Sequence, residues 1–227
     1  MQEVAMGFLR GLFRLLLWLV GLFLGLQVVL RLVRRLWPQP MPSQLGTLLL
    51  ESPLRKRLLS AEALVQRMGL APGQTVLEVG AGTGYVAMAT ARAVGEAGKV
   101  YTVDVEPQMV ERLSARATAE LLANLRPTLG DAGRLTFADD TFDVVYFVTS
   151  LGEMPDKRAP LWEAYRVLKP GGTLSVTEVL LDPDYMRRGT VIRYCEEAGF
   201  YLVEEIGNVL AYTLNFRKPP KTEQPGG

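Results

Sequence analysis

At 227 residues the chain can hold one domain, alone or with an accessory segment, and its 25 lysines and arginines balance 24 aspartates and glutamates. That balance argues against an extended nucleic-acid-binding surface, and the lone Cys195 excludes an internal disulfide. The absence of histidine excludes His-dependent triads, the commonest zinc sites and the usual general base at neutral pH.

The N-terminal segment is apolar with arginines at both ends. Leu15–Leu30 is a run of 16 residues without a charge. A bilayer core of about 30 Å takes about 20 helical residues, and the flanking arginines can extend the span by snorkelling to the headgroups. We therefore predict a transmembrane membrane-anchor helix over residues 1–37. A helix lying in the membrane interface and a cleaved signal peptide are the alternatives; no small-x-small cleavage site follows Leu30.

Basic residues are more frequent after this segment than before it. The positive-inside rule then predicts a single-pass or monotopic membrane protein with a cytoplasmic catalytic domain. Gly21-x-x-x-Gly25 has the spacing of a helix-dimer motif, so a homodimer through this helix is one hypothesis. Residues 38–51 are predicted to form a Pro-rich linker, and Arg55–Arg57 form either a headgroup contact or a solvated basic face.

Thr75–Tyr85 has the pattern of a buried strand, a tight turn and the start of a helix. Glycine stands at every second position of the turn, at Gly80, Gly82 and Gly84. Glycine permits a positive φ and a close approach of ligand to backbone. The following helix would direct its free N–H groups and its positive end at a bound group. The stretch therefore predicts a ligand-binding turn, with a glycine-rich turn that binds nothing as the alternative.

The spacing of the turn discriminates between nucleotide ligands. A dinucleotide site has G-x-G-x-x-G, but Tyr85 stands where the third glycine would be, and the lysine of a phosphate-binding P-loop is absent. What remains is acid-x-G-x-G-x-G, with Glu78 two residues before the first glycine. A carboxylate at that position suits a cationic ligand and repels a pyrophosphate.

Two further acids follow predicted strands. Lys99–Asp104 is an apolar run ending in an acid 24 residues after Gly80, where a carboxylate accepts hydrogen bonds from ribose hydroxyls. A helix begins at Pro107, and a weak third strand over residues 127–129 leads to Asp131. Because the carboxyl ends of parallel strands share one edge, we expect these acids to meet Glu78 in one crevice.

The remaining elements alternate as in an α/β domain. A fourth strand over residues 143–148 is followed by Ser150–Pro155 on the crevice side. We predict a helix over 156–168, a strand over 173–179, a helix over 187–198, and a final hairpin of strands 201–206 and 210–216. Residues 218–227 have the composition of a disordered tail.

Several motifs together resemble the class I S-adenosylmethionine-dependent methyltransferases, most closely the ubiquinone/menaquinone-methyltransferase-like branch. They include Val76-Leu-Glu-Val-Gly-Ala-Gly-Thr-Gly84, Gly130-Asp131-Ala132 and Arg166-Val-Leu-Lys-Pro-Gly-Gly172, and the resemblance covers residues 52–217. It implies a Rossmann-like α/β fold after the N-terminal hydrophobic helix. The implied sheet is seven-stranded, doubly wound and mostly parallel, in the order 3-2-1-4-5-7-6 with the last strand antiparallel.

The resemblance also implies S-adenosyl-L-methionine as cofactor and assigns residues to its site. The residues implied to bind it are Glu78, Gly80, Ala81, Gly82, Gly84, Asp104, Val105, Asp131, Ala132 and Thr149. Asp131 is implied to accept from the adenine amino group. Many relatives carry a histidine after the fourth strand, where this chain has Gly152-Glu153. Glu153 is therefore the candidate catalytic residue, with Asp156 and Tyr185 as further candidates for a base, and no metal site is expected.

Methyl transfer from a sulfonium is an in-line displacement, so the protein mainly aligns the acceptor and excludes water. A base is needed only when the acceptor must lose a proton. The anchor and the motifs lead to one main hypothesis: a membrane-anchored methyltransferase of a small lipophilic acceptor, with the membrane as partner and no nucleic acid. That acceptor is a phospholipid amine, a quinone-type ring or a hydrophobic thiol. The alternatives are a membrane-tethered cofactor-binding protein without activity, and a methyltransferase for a soluble substrate.

Overall fold

The computed structural model describes residues 2–36 and 60–221. The chain divides into two units, Met1–Gln39 and Pro40–Gly227. The predicted linker, the basic stretch Arg55–Arg57 and the last six residues of the predicted tail lie outside the described residues.

The first unit contains one helix, α1, over Gln2–Leu36. Within residues 2–36 and 60–221, no helix combines the length and the apolar character needed to cross a membrane. This finding contradicts the predicted transmembrane anchor and the single-pass or monotopic membrane localisation that rested on it. Length is the physical reason: only 16 uncharged residues separate Arg14 from Arg31, whereas a bilayer core takes about 20. The prediction had relied on snorkelling arginines to supply the difference.

The second unit is built on a seven-stranded sheet in the order β3-β2-β1-β4-β5-β7-β6, which confirms the predicted order. Its strands are β1 Thr75–Val79, β2 Lys99–Asp104, β3 Leu125–Leu129, β4 Phe142–Val148, β5 Leu168–Val179, β6 Tyr201–Gly207 and β7 Ala211–Arg217. Four neighbouring pairs are parallel, and β7 is antiparallel to both β5 and β6. The sheet is therefore mixed, which corrects the predicted "mostly parallel" description. Consecutive strands joined by a tight hairpin, as β6 and β7 are, must run antiparallel.

Helices connect the strands. They are α2 Ala61–Arg67, α3 Tyr85–Val94, α4 Pro107–Ala119, α5 Arg158–Val167 and α6 Arg188–Glu197, with a short 3₁₀ turn over Leu151–Glu153. Local chemistry explains several of their starts. The Ser60 hydroxyl accepts from the Ala63 N–H at 3.1 Å as the N-cap of α2, and Pro107 occupies the first turn of α4.

Two of the strands extend further than their sequence patterns predict. β3 begins at Leu125, two residues before the predicted start, because it pairs in register with β2 from Val100 onward. β5 begins at Leu168 and includes the Pro-Gly-Gly stretch, which precedes the predicted strand start at residue 173. In both places the local sequence has only a weak preference for a strand, and hydrogen bonding to the neighbouring strand extends the element.

The core lies on both faces of the sheet. Successive residues of a strand point to opposite faces, so Val76 and Leu77, both fully buried, belong to different apolar clusters. One cluster includes α5 and α6, and the other includes α2, α3 and α4. Burial on both faces explains why β1 and β4 are nearly continuous apolar runs. The covered faces leave the carboxyl ends of the strands as the place where a ligand can enter.

Candidate active site

A cavity of about 610 Å³ opens at the carboxyl ends of β1, β2, β3 and β4, a size typical of small-molecule sites. It brings together residues that are widely separated in the chain. All predicted site residues except Gly84 and Tyr185 line it: Glu78, Gly80, Ala81, Gly82, Asp104, Val105, Asp131, Ala132, Thr149, Glu153 and Asp156. The expectation that the acids at successive strand tips meet in one crevice agrees with this geometry.

The first part of the glycine turn packs against the segment that follows β4. Gly80 has φ +76°, and a Cβ placed there would lie 2.5 Å from the Ser150 Cβ. The Ser150 hydroxyl donates to the Val79 carbonyl at 2.6 Å. A side chain at residue 80 would therefore displace this segment from the wall of the cavity.

Gly84 lies apart from the other glycines of the turn. It stands at the N-cap of α3 with φ +77°, and it does not line the cavity. A Cβ at this position would lie 2.1 Å from the Leu113 Cδ1 on α4. The structure thus places Gly84 at a tight contact between the turn and a neighbouring helix.

Glu78 is buried beneath the turn, with only 3% of its surface exposed. Its Oε2 accepts from the Tyr146 hydroxyl at 2.9 Å, and that hydroxyl also pairs with the Thr90 hydroxyl. Burial is the main cause that raises the pKa of Glu78 to about 8, and the charge of Asp104 adds to it. The carboxyl group therefore holds its proton at neutral pH unless a cation adjoins it, which is compatible with a cationic ligand.

Asp104 ties the tip of β2 to the glycine turn. Its Oδ2 accepts from the Gly82 N–H at 2.8 Å, and its Oδ1 accepts from the Glu106 N–H at 3.0 Å. A carboxylate offers about four lone-pair positions, so these two bonds leave acceptor capacity for ligand hydroxyls.

The tip of β3 supplies an exposed acid beside an apolar wall. The Oδ1 of Asp131 accepts from the Gly133 N–H at 2.8 Å. Val105, Met109 and Ala132 line the cavity nearby. An apolar wall with an acceptor at its edge suits a flat heteroaromatic ring that carries an amino group.

The segment after β4 forms another wall of the cavity. Thr149 has φ +54°, an uncommon conformation for a residue with a side chain, and its N–H donates to the Thr177 carbonyl at 2.8 Å. Ser150, Glu153 and Asp156 follow it on the wall. Tyr185, the third candidate for a base, instead packs edge-to-face on Tyr212 with ring centroids 6.0 Å apart.

Sequence reasoning missed acids that lie beside Glu153. The carboxylates of Glu153, Asp182 and Asp184 lie within 4.8 Å of one another. Glu178, at the end of β5, is buried next to them; burial and these neighbouring charges hold its pKa well above the usual range. The run Asp182-Pro-Asp184 after the fifth strand was the available signal, because it too follows the carboxyl end of a parallel strand.

The residues of the cavity fit S-adenosylmethionine. The strand tips present carboxylates to hydroxyl and amino donors, the glycine turn exposes backbone at the cavity, and a buried acid at its base suits a cation. Comparison with solved structures supports the same fold: a SAM-dependent methyltransferase from Aquifex aeolicus superposes with a TM-score of 0.73 at 23% identity, covering 79% of this chain and 100% of that one. Fold and site together define the class, a Rossmann-like domain of the kind found in S-adenosylmethionine-dependent methyltransferases, with a cavity that fits this cofactor.

Residues 54–211 match the ubiE/COQ5 methyltransferase family, so the chain belongs to that family. It is similar to the ubiquinone/menaquinone biosynthesis C-methyltransferase UbiE of Hydrogenovibrio crunogenus, with 39% identity over 115 residues, which are 50% of this chain and 45% of that protein. It is also similar to the arsenite methyltransferase of Halobacterium salinarum, with 31% identity over 154 residues, which are 60% of this chain and 39% of that protein. The chain spans about half the length of the curated relatives it matches.

Proposed function

We propose that this chain transfers the methyl group of S-adenosylmethionine to a ring carbon of a small quinone-type acceptor in its reduced, hydroxylated form. The observation that carries the proposal is the composition of the cavity at the strand tips. The cavity joins the glycine turn and strand-tip acids to an apolar wall that includes Leu64, Met154 and Val179. Membership of the ubiE/COQ5 family supports this acceptor class, as does the similarity to a protein named for ubiquinone and menaquinone biosynthesis.

The chain's own residues would hold the two reactants in line. When bound, S-adenosylmethionine supplies an activated methyl group on a sulfonium. Asp104 and Asp131 accept hydrogen bonds at the strand tips, and the backbone of Gly80 and Gly82 allows a close approach. The apolar wall packs an aromatic ring and excludes water from the reacting atoms. Alignment of this kind can supply about 7–11 kcal/mol of the barrier reduction.

Methylation at a ring carbon needs a proton acceptor. The carbon that gains the methyl group loses its hydrogen as a proton, and the carbon is a better nucleophile when a neighbouring hydroxyl is deprotonated. Glu153 and Asp156 are carboxylates on the cavity wall, so one of them is suited to accept a proton. We assign this role to Glu153, which lies on the 3₁₀ turn after β4.

Arsenite methylation, suggested by the name of the Halobacterium relative, receives less support from the site. Arsenic(III) is a soft centre that prefers thiolates. The one cysteine, Cys195, is fully buried, and burial raises the pKa of its thiol well above the usual range. The cavity therefore offers no thiolate to such a substrate.

The test is acceptor profiling with methyl-labelled cofactor. The full chain is incubated with a short-chain hydroxynaphthalene quinol, an aminophospholipid, an alkyl thiol and arsenite in parallel. We expect label on a ring carbon of the quinol, located by mass spectrometry. Transfer to another acceptor would contradict the quinone assignment, and calorimetry without binding of S-adenosylmethionine would contradict the function altogether. Cofactor binding without any transfer would favour a binding protein.

A further inference from the structure

Three buried side chains form a hydrogen-bonded row beneath the glycine turn. Glu78 on β1 and Tyr146 on β4 are paired in register, so their side chains leave the sheet on the same face. The Tyr146 hydroxyl donates to Glu78 Oε2 at 2.9 Å and lies 3.0 Å from the Thr90 hydroxyl of α3. Glu78 is 3% exposed, and Tyr146 and Thr90 are fully buried. The row thus joins two strands to the helix that follows the turn.

The direction of these hydrogen bonds follows from the number of protons. A tyrosine hydroxyl has one proton to donate, and Tyr146 gives it to the Glu78 carboxylate. The Thr90 hydroxyl must then donate to the Tyr146 oxygen. Burial and the adjacent Glu78 carboxyl raise the pKa of Tyr146 well above its usual range, so the tyrosine keeps its proton and remains a donor.

The surroundings of Glu78 balance its charged and neutral forms. Burial and the charge of Asp104, at the end of β2, oppose ionisation. The Tyr146 hydroxyl and the backbone N–H of Ala87, in the first turn of α3, favour it. The positive end of the same helix acts in the same direction. Because Glu78 lines the cavity, a cation that enters there meets a carboxyl group that can give up its proton.

Only Glu78, of these three residues, lines the cavity. Thr90 and Tyr146 can therefore act on a bound ligand only through the Glu78 carboxyl group. A hydrogen bond to a charged group is stronger than one between neutral groups, so the Tyr146 hydroxyl mainly stabilises the carboxylate form. Donation from Thr90 to Tyr146 strengthens that bond in turn.

We propose that Thr90 and Tyr146 are positioning residues of the cofactor site. They hold the Glu78 carboxyl group so that it exchanges its proton for a cationic group of S-adenosylmethionine when the cofactor binds. The proton passes to solvent, and the carboxyl O–H is the only covalent bond that breaks. S-adenosylmethionine offers two cationic groups, the α-ammonium and the sulfonium. This inference rests on the cofactor named in the proposed function and not on the methyl acceptor.

Calorimetry of S-adenosylmethionine binding to the full chain tests the exchange. Titrations at one pH in two buffers of different ionisation enthalpy give the number of protons released. We expect the wild type to release about one proton at pH 6.5, and its affinity to rise from pH 5.5 to pH 7.0, a range in which the cofactor amine stays charged. Glu78→Gln should bind more weakly, release no proton and show an affinity independent of pH. Binding by the wild type without proton release would overturn the proposal.

The variant Tyr146→Phe isolates the positioning role, because it keeps the buried ring and removes only the hydroxyl. We expect its affinity for S-adenosylmethionine to fall about tenfold or more, since the charged form of Glu78 loses a hydrogen bond. Infrared difference spectra should show the band of the protonated carboxyl group disappear on binding. That band should be shifted in Tyr146→Phe and absent in Glu78→Gln. Thr90→Val should lower the affinity less, and it carries the same test if Tyr146→Phe does not fold.

Tyr212→Phe is the matched control. Tyr212 is also fully buried and its hydroxyl donates to the Met186 carbonyl at 2.6 Å, but it does not line the cavity. Both tyrosine variants should melt at a lower temperature than the wild type, yet only Tyr146→Phe should lose affinity or change the carboxyl band. Equal affinity of the wild type and Tyr146→Phe, or an equal loss in the two variants, would refute the positioning role.

S-adenosylhomocysteine identifies the cationic group, because it keeps the ammonium and lacks the sulfonium charge. Proton release with both ligands supports exchange for the ammonium, and release with S-adenosylmethionine alone supports exchange for the sulfonium. A protein that methylates the quinol but binds the cofactor without proton release would reject this inference and leave the proposed function intact. Coupled proton release in a protein that methylates no acceptor would support the inference and reject the function.

Discussion

Glu78 illustrates how a single buried acid links stability to pH. Its pKa is raised to about 8 in the folded chain, from 4.5 for an ordinary glutamate. Between these values the folded chain holds a proton that the unfolded chain has released, so the free energy of unfolding falls as the pH rises through this window. An acid with a raised pKa therefore destabilises the fold on the alkaline side.

We predict that Glu78→Gln removes this pH dependence. Glutamine is similar in shape and its carbonyl can still accept from the Tyr146 hydroxyl, but it cannot ionise. The melting temperature of the variant relative to the wild type should therefore increase from pH 5 to about pH 8 and level off above it. The exposed Glu96→Gln serves as control and should show a flat difference across the series. A flat difference for Glu78→Gln as well would show that this carboxyl is ionised in the fold.

Gly84 gives a second prediction at the scale of the residue. Alanine there would meet Leu113 and would have to adopt φ +77°. We expect Gly84→Ala to lower the free energy of unfolding by about 2–3 kcal/mol, measured by urea denaturation. Gly189→Ala in α6 is the matched control, since its Cβ meets nothing within 4 Å and alanine favours helix. Equal stability of wild type and Gly84→Ala would refute the packing role.

At the scale of the elements, one arginine of α5 holds the segment between β3 and β4. Arg166 donates through Nη1 to the Phe137 carbonyl at 2.7 Å and through Nη2 to the Leu135 carbonyl at 2.9 Å. Its guanidinium also pairs with Glu163 and Asp139. The segment between β3 and β4 begins with residues that line the cavity. By holding this segment, α5 helps to position part of the site.

We predict that Arg166→Lys weakens this connection. A lysine ammonium cannot reproduce the planar fork that reaches two carbonyls and two carboxylates at once. The variant should lose about 1–2 kcal/mol of stability and bind S-adenosylmethionine more weakly, measured by thermal unfolding and by calorimetry. Arg193→Lys, at an exposed arginine of α6, should change neither. An unchanged cofactor affinity in Arg166→Lys would show that the segment keeps its place without the fork.

At the scale of the whole molecule, the cavity belongs to one of the two units. Every residue that lines it lies in Pro40–Gly227. We predict that residues 40–227, produced alone, unfold cooperatively and bind S-adenosylmethionine within about twofold of the affinity of the full chain. Calorimetry on both proteins is the measurement. A truncated protein that fails to fold would show that the first unit contributes to the stability of the second.

Much of this architecture could be predicted from short stretches of sequence. The alternation of apolar residues, the glycine turn and the acids Glu78, Asp104 and Asp131 are local signals. A parallel sheet brings these acids to one edge whatever the loops do. The prediction of a membrane anchor was wrong because the uncharged part of the N-terminal segment, Leu15–Leu30, is shorter than a membrane-spanning helix requires.

The sequence by itself determined the alternation of strands and helices, the glycine turn and the acids near the strand tips, because periodicity and turn chemistry act between near neighbours in the chain. The strand order and the remaining site residues were implied by the resemblance to a known family. Only the tertiary structure placed Gly84 against Leu113 and brought Glu153 beside Asp182 and Asp184. These contacts join segments that are distant in the chain. They depend on how whole elements pack, which no local pattern encodes.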